Sequence, residues 1–402
     1  MPSEAVSTEL EMSSQTVIDV NQSTSSALVN NCIILGMNTT IPWDNPHNLI
    51  SLEAEFLFDK IKATILIPLL FLIGFPANCI NMVVFFKQGL AERINMCLFS
   101  LALVDLIYLS AIFVLYAERI YTQFTGDERY GPVLRYMVHN HVIVLFGFGY
   151  VHLFLVAVVA TERCICVLFP MTAQRCIPTK TLVFVIVVSG SVLVCLRVAI
   201  VSQYQITCFY EMQTHRVSWQ LYVNDYYFQN EAMISVLNGV FYGFCLTVGC
   251  PTIVLIATII TAVRLTHIVR WRSQTSSSLS SKEIGLTKML IALSIEFIII
   301  CIPVITIRVS PLFEPRLGAG GDFANTFNLL ISTMEICSYV NSTANFFMYV
   351  FTGTKYRNTF RSLFIKKTCK NLGPTTTVTN ATAPTELSAV VTKTTVQVVE
   401  DH

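Results

Sequence analysis

Hydrophobic and polar positions alternate along this chain on the scale of tens of residues. Seven apolar runs, approximately Thr64 to Phe86, Ile94 to Tyr116, Val142 to Thr161, Thr181 to Val201, Ala232 to Val263, Met289 to Ile307 and Phe327 to Phe351, are separated by polar stretches. Each is close to, or longer than, the roughly twenty residues a helix needs to cross the hydrocarbon core of a membrane. Several hold Pro or Gly, which membrane helices tolerate because neighbouring groups satisfy the freed backbone. Beyond the last run, Tyr356, Phe360, Leu363 and Phe364 recur at helical spacing among basic residues, the mark of an amphipathic helix on the anionic inner leaflet. The pattern predicts an all-α membrane protein: a seven-transmembrane helix bundle with an amphipathic eighth helix. The expected divisions are an extracellular tail at 1–60, the seven-helix domain at 61–352, the amphipathic helix at 353–368 and a disordered Thr-rich tail at 369–402.

Composition sharpens that picture. Of 402 residues only 13% are charged and 53% are hydrophobic, with a mean hydropathy of +0.61. A net charge of +1 gives no basic field for nucleic acid. No phosphate loop, zinc-ligand spacing or nucleophile elbow stands out, so neither an enzyme nor a cofactor is expected. The first sixty residues are polar and acidic, carrying Glu4, Glu9, Glu11, Asp19, Asp44, Glu53 and Glu55, and no apolar stretch near Met1 suggests a cleaved signal peptide. Two glycosylation sequons begin at Asn21 and Asn38. Lys and Arg count fourteen on one set of loops and nine on the other, the nine including Lys62, Arg197 and Arg308. That bias puts the N-terminal tail outside and the C-terminal tail in the cytosol of a multi-pass plasma-membrane protein.

Ionisable groups at membrane depth cost a few kcal/mol unless they pair or reach water, so each is a functional candidate. Glu162-Arg163 ends the third run, where it reads either as an interfacial anchor that snorkels or as a switch. The other intramembrane polar groups fall in a pattern. The first run holds Gly74-Phe75-Pro76-Ala77-Asn78, the second Leu101-Ala102-Leu103-Val104-Asp105, and Pro170 follows Arg163 by seven. Pro251 lies in the fifth run, Phe297 and Pro303 in the sixth, and Asn345-Phe346-Phe347-Met348-Tyr349 in the seventh. In this order, one set per helix, these motifs resemble the rhodopsin-like (class A) G-protein-coupled receptors over about Ile61 to Cys369. The departures are Glu-Arg-Cys for Asp-Arg-Tyr, Phe346 for the seventh-helix Pro, Cys301 for the sixth-helix Trp, and no Trp in the fourth run. They suggest a divergent invertebrate branch, and Lys87 to Ser100 resembles receptors called chemosensory and best known from molluscs.

The resemblance implies an extracellular ligand, a chemosensory cue or small peptide, and a heterotrimeric G protein. A neuropeptide receptor is the alternative within the family; a transporter or channel is the competing class, although no inverted repeat is visible. Glu162, Arg163, Phe297, Pro303, Asn345 and Tyr349 become the activation switch, and Asn78, Asp105, Asn341 and His152 the polar core. In the family the matching aspartate and asparagines surround a sodium ion; His152 stands where a small hydroxyl is usual and would take the ion's place. No metal is therefore assigned. Leu145 and Tyr339 occupy the positions of the amine-binding aspartate and the retinal lysine, which disfavours both chemistries. With Glu335 and Arg308 they mark the ligand pocket; the two charged groups either hold a zwitterionic or peptide ligand or pair with each other. Cys32 and Cys208, left after eleven of thirteen cysteines fall in or beside helices or on the cytosolic side, form either one disulfide tethering the tail or two free thiols. Cys369 is a candidate for palmitoylation by membrane-bound enzymes, and the Thr-rich tail for a receptor kinase and arrestin.

Overall fold

The computed structural model describes residues 17–19, 33–35, 47–125, 143–169, 178–211, 216–273, 281–317 and 321–364. Helix α1, Leu52–Gln88, is longer than its apolar run because an amphipathic first section, Leu52–Ile61, is capped by the Ser51 hydroxyl accepting from the Ala54 N–H at 3.3 Å. A π-turn at Lys62–Leu66 joins that section to the apolar part, just before Pro68 removes a backbone donor. Then come α2, Arg93–Leu115; a short α3, Ala117–Thr125; α4, Gly147–Leu168, entered through a 3-10 turn; and α5, Thr179–Val201. Helix α6 starts at Asp225 and ends at Ser273, taking in Trp271. Its middle, Val236–Gly249, winds as a π-helix ahead of Pro251, and the Thr247 hydroxyl donates to the Tyr242 carbonyl at 2.8 Å. Ser281–Phe313 is α7, Ala324–Thr352 is α8 and Thr354–Phe364 is α9.

Six of these helices are long and apolar enough to cross a membrane. The 29-residue α8 is the exception, because it turns Asn325, Asn341, Ser342, Thr343 and Asn345 into the bundle. The packing forms a ring, α1 on α2, α2 on α4, α4 on α6, α6 on α7, α7 on α8 and α8 back on α1, while α5 leans on α4 from outside. Accordingly Phe184, Val187 and Val192 of α5 stay exposed, as side chains facing lipid would. Where α1 meets α8 the backbones approach closely: a Cβ on Gly74 would stand 2.6 Å from Thr343 Oγ1 and 2.9 Å from Leu109 Cδ1. Tyr108, Leu109, Ile112 and Tyr116 of α2 pack there with Ala63, Ile67 and Tyr339 into one buried cluster.

The all-α expectation leaves out a four-stranded sheet. The loop between α5 and α6 is a hairpin, and two short N-terminal strands flank it: β1, Val17–Asp19; β2, Ile33–Leu35; β3, Tyr204–Glu211; and β4, Arg216–Val223, in the order β1-β4-β3-β2. Val217, Trp219, Leu221 and Val223 alternate with polar residues or Tyr, the period that specifies a strand. β2 runs parallel to β3, with Ile33 opposite Phe209, and β1 runs antiparallel to β4.

Candidate functional site

Four sets of polar groups occupy the ring. At its centre Asp105, fully buried on α2, accepts from Asn345 Nδ2 at 2.8 Å through one carboxylate oxygen and lies 2.5 Å from His152 Nδ1 through the other. The second ring nitrogen of His152 stands 2.9 Å from Asn341 Nδ2. With Asn341 donating to Nε2, the imidazole keeps its proton on Nδ1 and donates it to Asp105. Four side chains from α2, α4 and α8 thus form one chain, and an intramembrane carboxylate gains the partners its burial requires. Each oxygen of Asp105 thus has one nitrogen partner, and Asn341 Oδ1 has no hydrogen-bond partner among the described residues. Phe297 packs 6.1 Å from the His152 ring, centroid to centroid. Pro303 lies six residues further along α7.

Nearer α9 the same side of the bundle carries a second chain that includes residues the sequence did not single out. Asn78 donates to the carbonyls of Gly74, at 3.1 Å, and Ser342, at 2.9 Å, and its Oδ1 accepts from Asn81. Asn81 in turn accepts from the Tyr356 hydroxyl at 2.7 Å. Tyr349 is buried beside these, its ring 5.1 Å from Phe85 and 5.5 Å from Tyr356.

At the end of α4, Glu162 is buried and paired with Arg163. A third member comes from α2: Arg93 Nε lies 3.6 Å from Glu162 Oε1 and its Nη2 reaches Cys166 Sγ at 3.3 Å. Arg93 opens α2, far from Glu162 in sequence, and only the fold brings the two together. Pro170, the motif residue beyond Arg163, lies outside the described residues, as do Cys32, Asn21, Asn38 and Cys369.

The fourth set lines a cavity of about 140 Å³ whose wall draws on α2, α4, α5, α6, α7 and α8. Glu335 and Arg308 both border it, yet they do not pair with each other. Glu335 Oε2 instead accepts from Lys62 Nζ at 3.1 Å and from the Tyr116 hydroxyl at 2.9 Å. Lys62 also donates to Ser332 Oγ at 2.7 Å and lies 3.2 Å from Asp59. Three cations assigned to outer loops, Lys62, Arg197 and Arg308, therefore sit inside α1, α5 and α7. Leu145 and Tyr339 do not line the cavity: Leu145 lies in the 3-10 turn before α4, and Tyr339 is buried with its hydroxyl on the Leu109 carbonyl at 2.7 Å. His152 and Asn341 do line it, so the cavity floor is the polar core itself. Glu296 buries both carboxylate oxygens, with no hydrogen-bond partner among the described residues. Outside the membrane, past α7, the hydrogen bond from Arg316 holds the Glu314 carboxyl below its usual range.

Polar side chains of α2, α4 and α8 thus form one chain, two of whose members also line the cavity. The family described as Serpentine type 7TM GPCR chemoreceptor Srw matches residues 66–367. The chain belongs to this family. No curated protein sequence matches it. The Srw match takes in the seven long helices from within α1 onward and α9, leaving out β1 and β2. Srw proteins are a receptor class rather than an enzyme class, and the chain is a multi-pass membrane protein.

Proposed function

We propose that this chain is a rhodopsin-like receptor of the plasma membrane, with its N terminus outside and its C terminus in the cytosol, that binds an extracellular ligand in the cavity and activates a heterotrimeric G protein. The observation that carries this reading is shared membership: His152 and Asn341 line the cavity and also hold Asp105. A ligand that displaces either group alters the hydrogen bonds of α2, α4 and α8 together. That is a differential contact, which is what shifts a two-state packing. At the cytosolic end, Arg163 leaves Glu162 and Arg93 and meets the G protein as the inner ends of α4 and α7 part.

The role is that of a chemosensory receptor, in line with the family's description, and the mollusc-like stretch in Lys87 to Ser100 supports an invertebrate affinity. A neuropeptide receptor is the second reading; tissue of expression separates the two. Both oxygens of Asp105 being engaged supports weak sensitivity to sodium. α9 serves as the amphipathic eighth helix on the inner leaflet. The Thr-rich tail is the substrate of a receptor kinase and the site of arrestin binding, with Cys369 palmitoylated, and Asn21 and Asn38 carry glycans. The Cys32–Cys208 disulfide gains support from the sheet: Ile33 and Phe209, which immediately follow the two cysteines, face each other in parallel register. Mass spectrometry of non-reduced peptides checks it, and finding both thiols alkylatable without reductant rejects it.

The test of the function is a G-protein activation assay in transfected cells against small-metabolite and peptide libraries. An activating compound whose effect is lost in Asp105→Asn supports the receptor; full signalling by an Arg163→Ala variant removes that arginine from the mechanism.

A further inference from the structure

The cavity is asymmetric in charge. Its one carboxylate, Glu335, is already engaged by Lys62 and Tyr116, whereas two guanidinium groups, Arg197 from α5 and Arg308 from α7, face the same space. Arg197 is 6% exposed and has no carboxylate within ion-pair distance among the described residues. A neutral amide holds it, Asn238 Oδ1 accepting from Nη1 at 3.1 Å, and the rings of Tyr150 and Tyr242 lie 5.8 Å from its Cζ. Its Nε donates to no atom among the described residues. Arg308 reaches the other side of Tyr150, donating from Nη2 to the phenol oxygen at 3.2 Å. Burying the Arg197 guanidinium without a counter-charge among the described residues is costly, and the cost falls when an anion occupies the space beside it. Away from the polar floor, Phe146, Leu153, Ile300 and Val304 give the wall an apolar section.

We infer that the cavity binds a small organic carboxylate, its charged head between Arg197 and Arg308 and its apolar body against α4 and α7. An apolar space of roughly this volume accepts a molecule the size of benzene, which points to a compact acid rather than to a long peptide. The zwitterionic ligand drawn from Glu335 and Arg308 is thereby replaced, since Glu335 already has its cation. The inference rests on the cavity being the receptor's ligand site, but its test is independent of signalling.

The full chain, purified in lipid nanodiscs, is heated with matched probes: benzoate, benzamide and benzylamine, then hexanoate, hexanamide and hexylamine. Carboxylates should raise the melting temperature in a concentration-dependent way, while the amides and amines should not. Arg197→Gln should weaken the carboxylate effect about tenfold or more, as expected for one charge-assisted hydrogen bond, and Arg197→Lys should retain part of it. If no carboxylate shifts the melting point, or amides or amines shift it equally, the inference fails. Undiminished carboxylate binding by both Arg197 variants also overturns it. Carboxylate binding without any G-protein response would leave this inference standing and sink the receptor reading instead.

Discussion

At the scale of single residues, two buried polar side chains carry distinct consequences. Lys62 has no exposed side-chain surface and makes three polar contacts, one of them to Glu335. Removing one partner of a buried pair leaves the other uncompensated, which costs about 3–5 kcal/mol. Lys62→Met should therefore lower the melting temperature markedly, and adding Glu335→Gln should recover much of the loss; purely additive effects in that cycle would mean the pair is not coupled. His152 offers a different test. If the imidazole occupies the place of an ion, His152→Ser opens that place, and agonist binding should become dependent on sodium concentration. A flat sodium titration of the variant counts against the substitution. The polar core was legible because Asp105, His152, Asn341 and Asn345 are conspicuous inside apolar runs. Arg197 was not, since a cation four residues from the end of a run looks like a loop charge until the helix brackets it between Tyr150 and Tyr242.

At the scale of elements, the apolar runs located every long helix because membrane thickness imposes a length that the sequence must meet. Their ends were less visible. Leu52–Ile61 mixes Glu53, Glu55, Asp59 and Lys60 with Leu and Phe, so hydropathy alone excluded it, although its helical spacing and Ser51 cap were available. The hairpin was missed for a related reason: attention to twenty-residue runs passes over an eight-residue alternation. Close helix contact makes Gly74 a second point of test. Gly74→Leu forces α1 away from Thr343 and Leu109, and overpacking of this kind costs about 1–3 kcal/mol; an unchanged melting temperature would mean the helices are not in this contact. The α2–α4 cluster supplies a third. Arg93→Ala removes a cation from Glu162 without touching Arg163, so basal G-protein activation should rise relative to surface expression, and unchanged basal activity would make Arg93 structural only.

At the scale of the whole molecule, cavity and polar core share His152 and Asn341, and α5, which leans on the ring from outside, contributes Arg197 to the cavity. Ligand held by Arg197 and Arg308 would thus draw a peripheral helix toward α7. The sheet has a bearing on how the protein is made. β1 pairs with residues about 200 positions later in the chain, and at the usual ~5–20 residues per second of synthesis that partner arrives roughly 10–40 s afterwards. During that interval, while four membrane helices are being inserted, the first strand has no edge to join. Anything that binds or processes the nascent N terminus in that window competes with closure of the sheet, which makes the yield of mature receptor sensitive to the rate of translation as well as to the sequence.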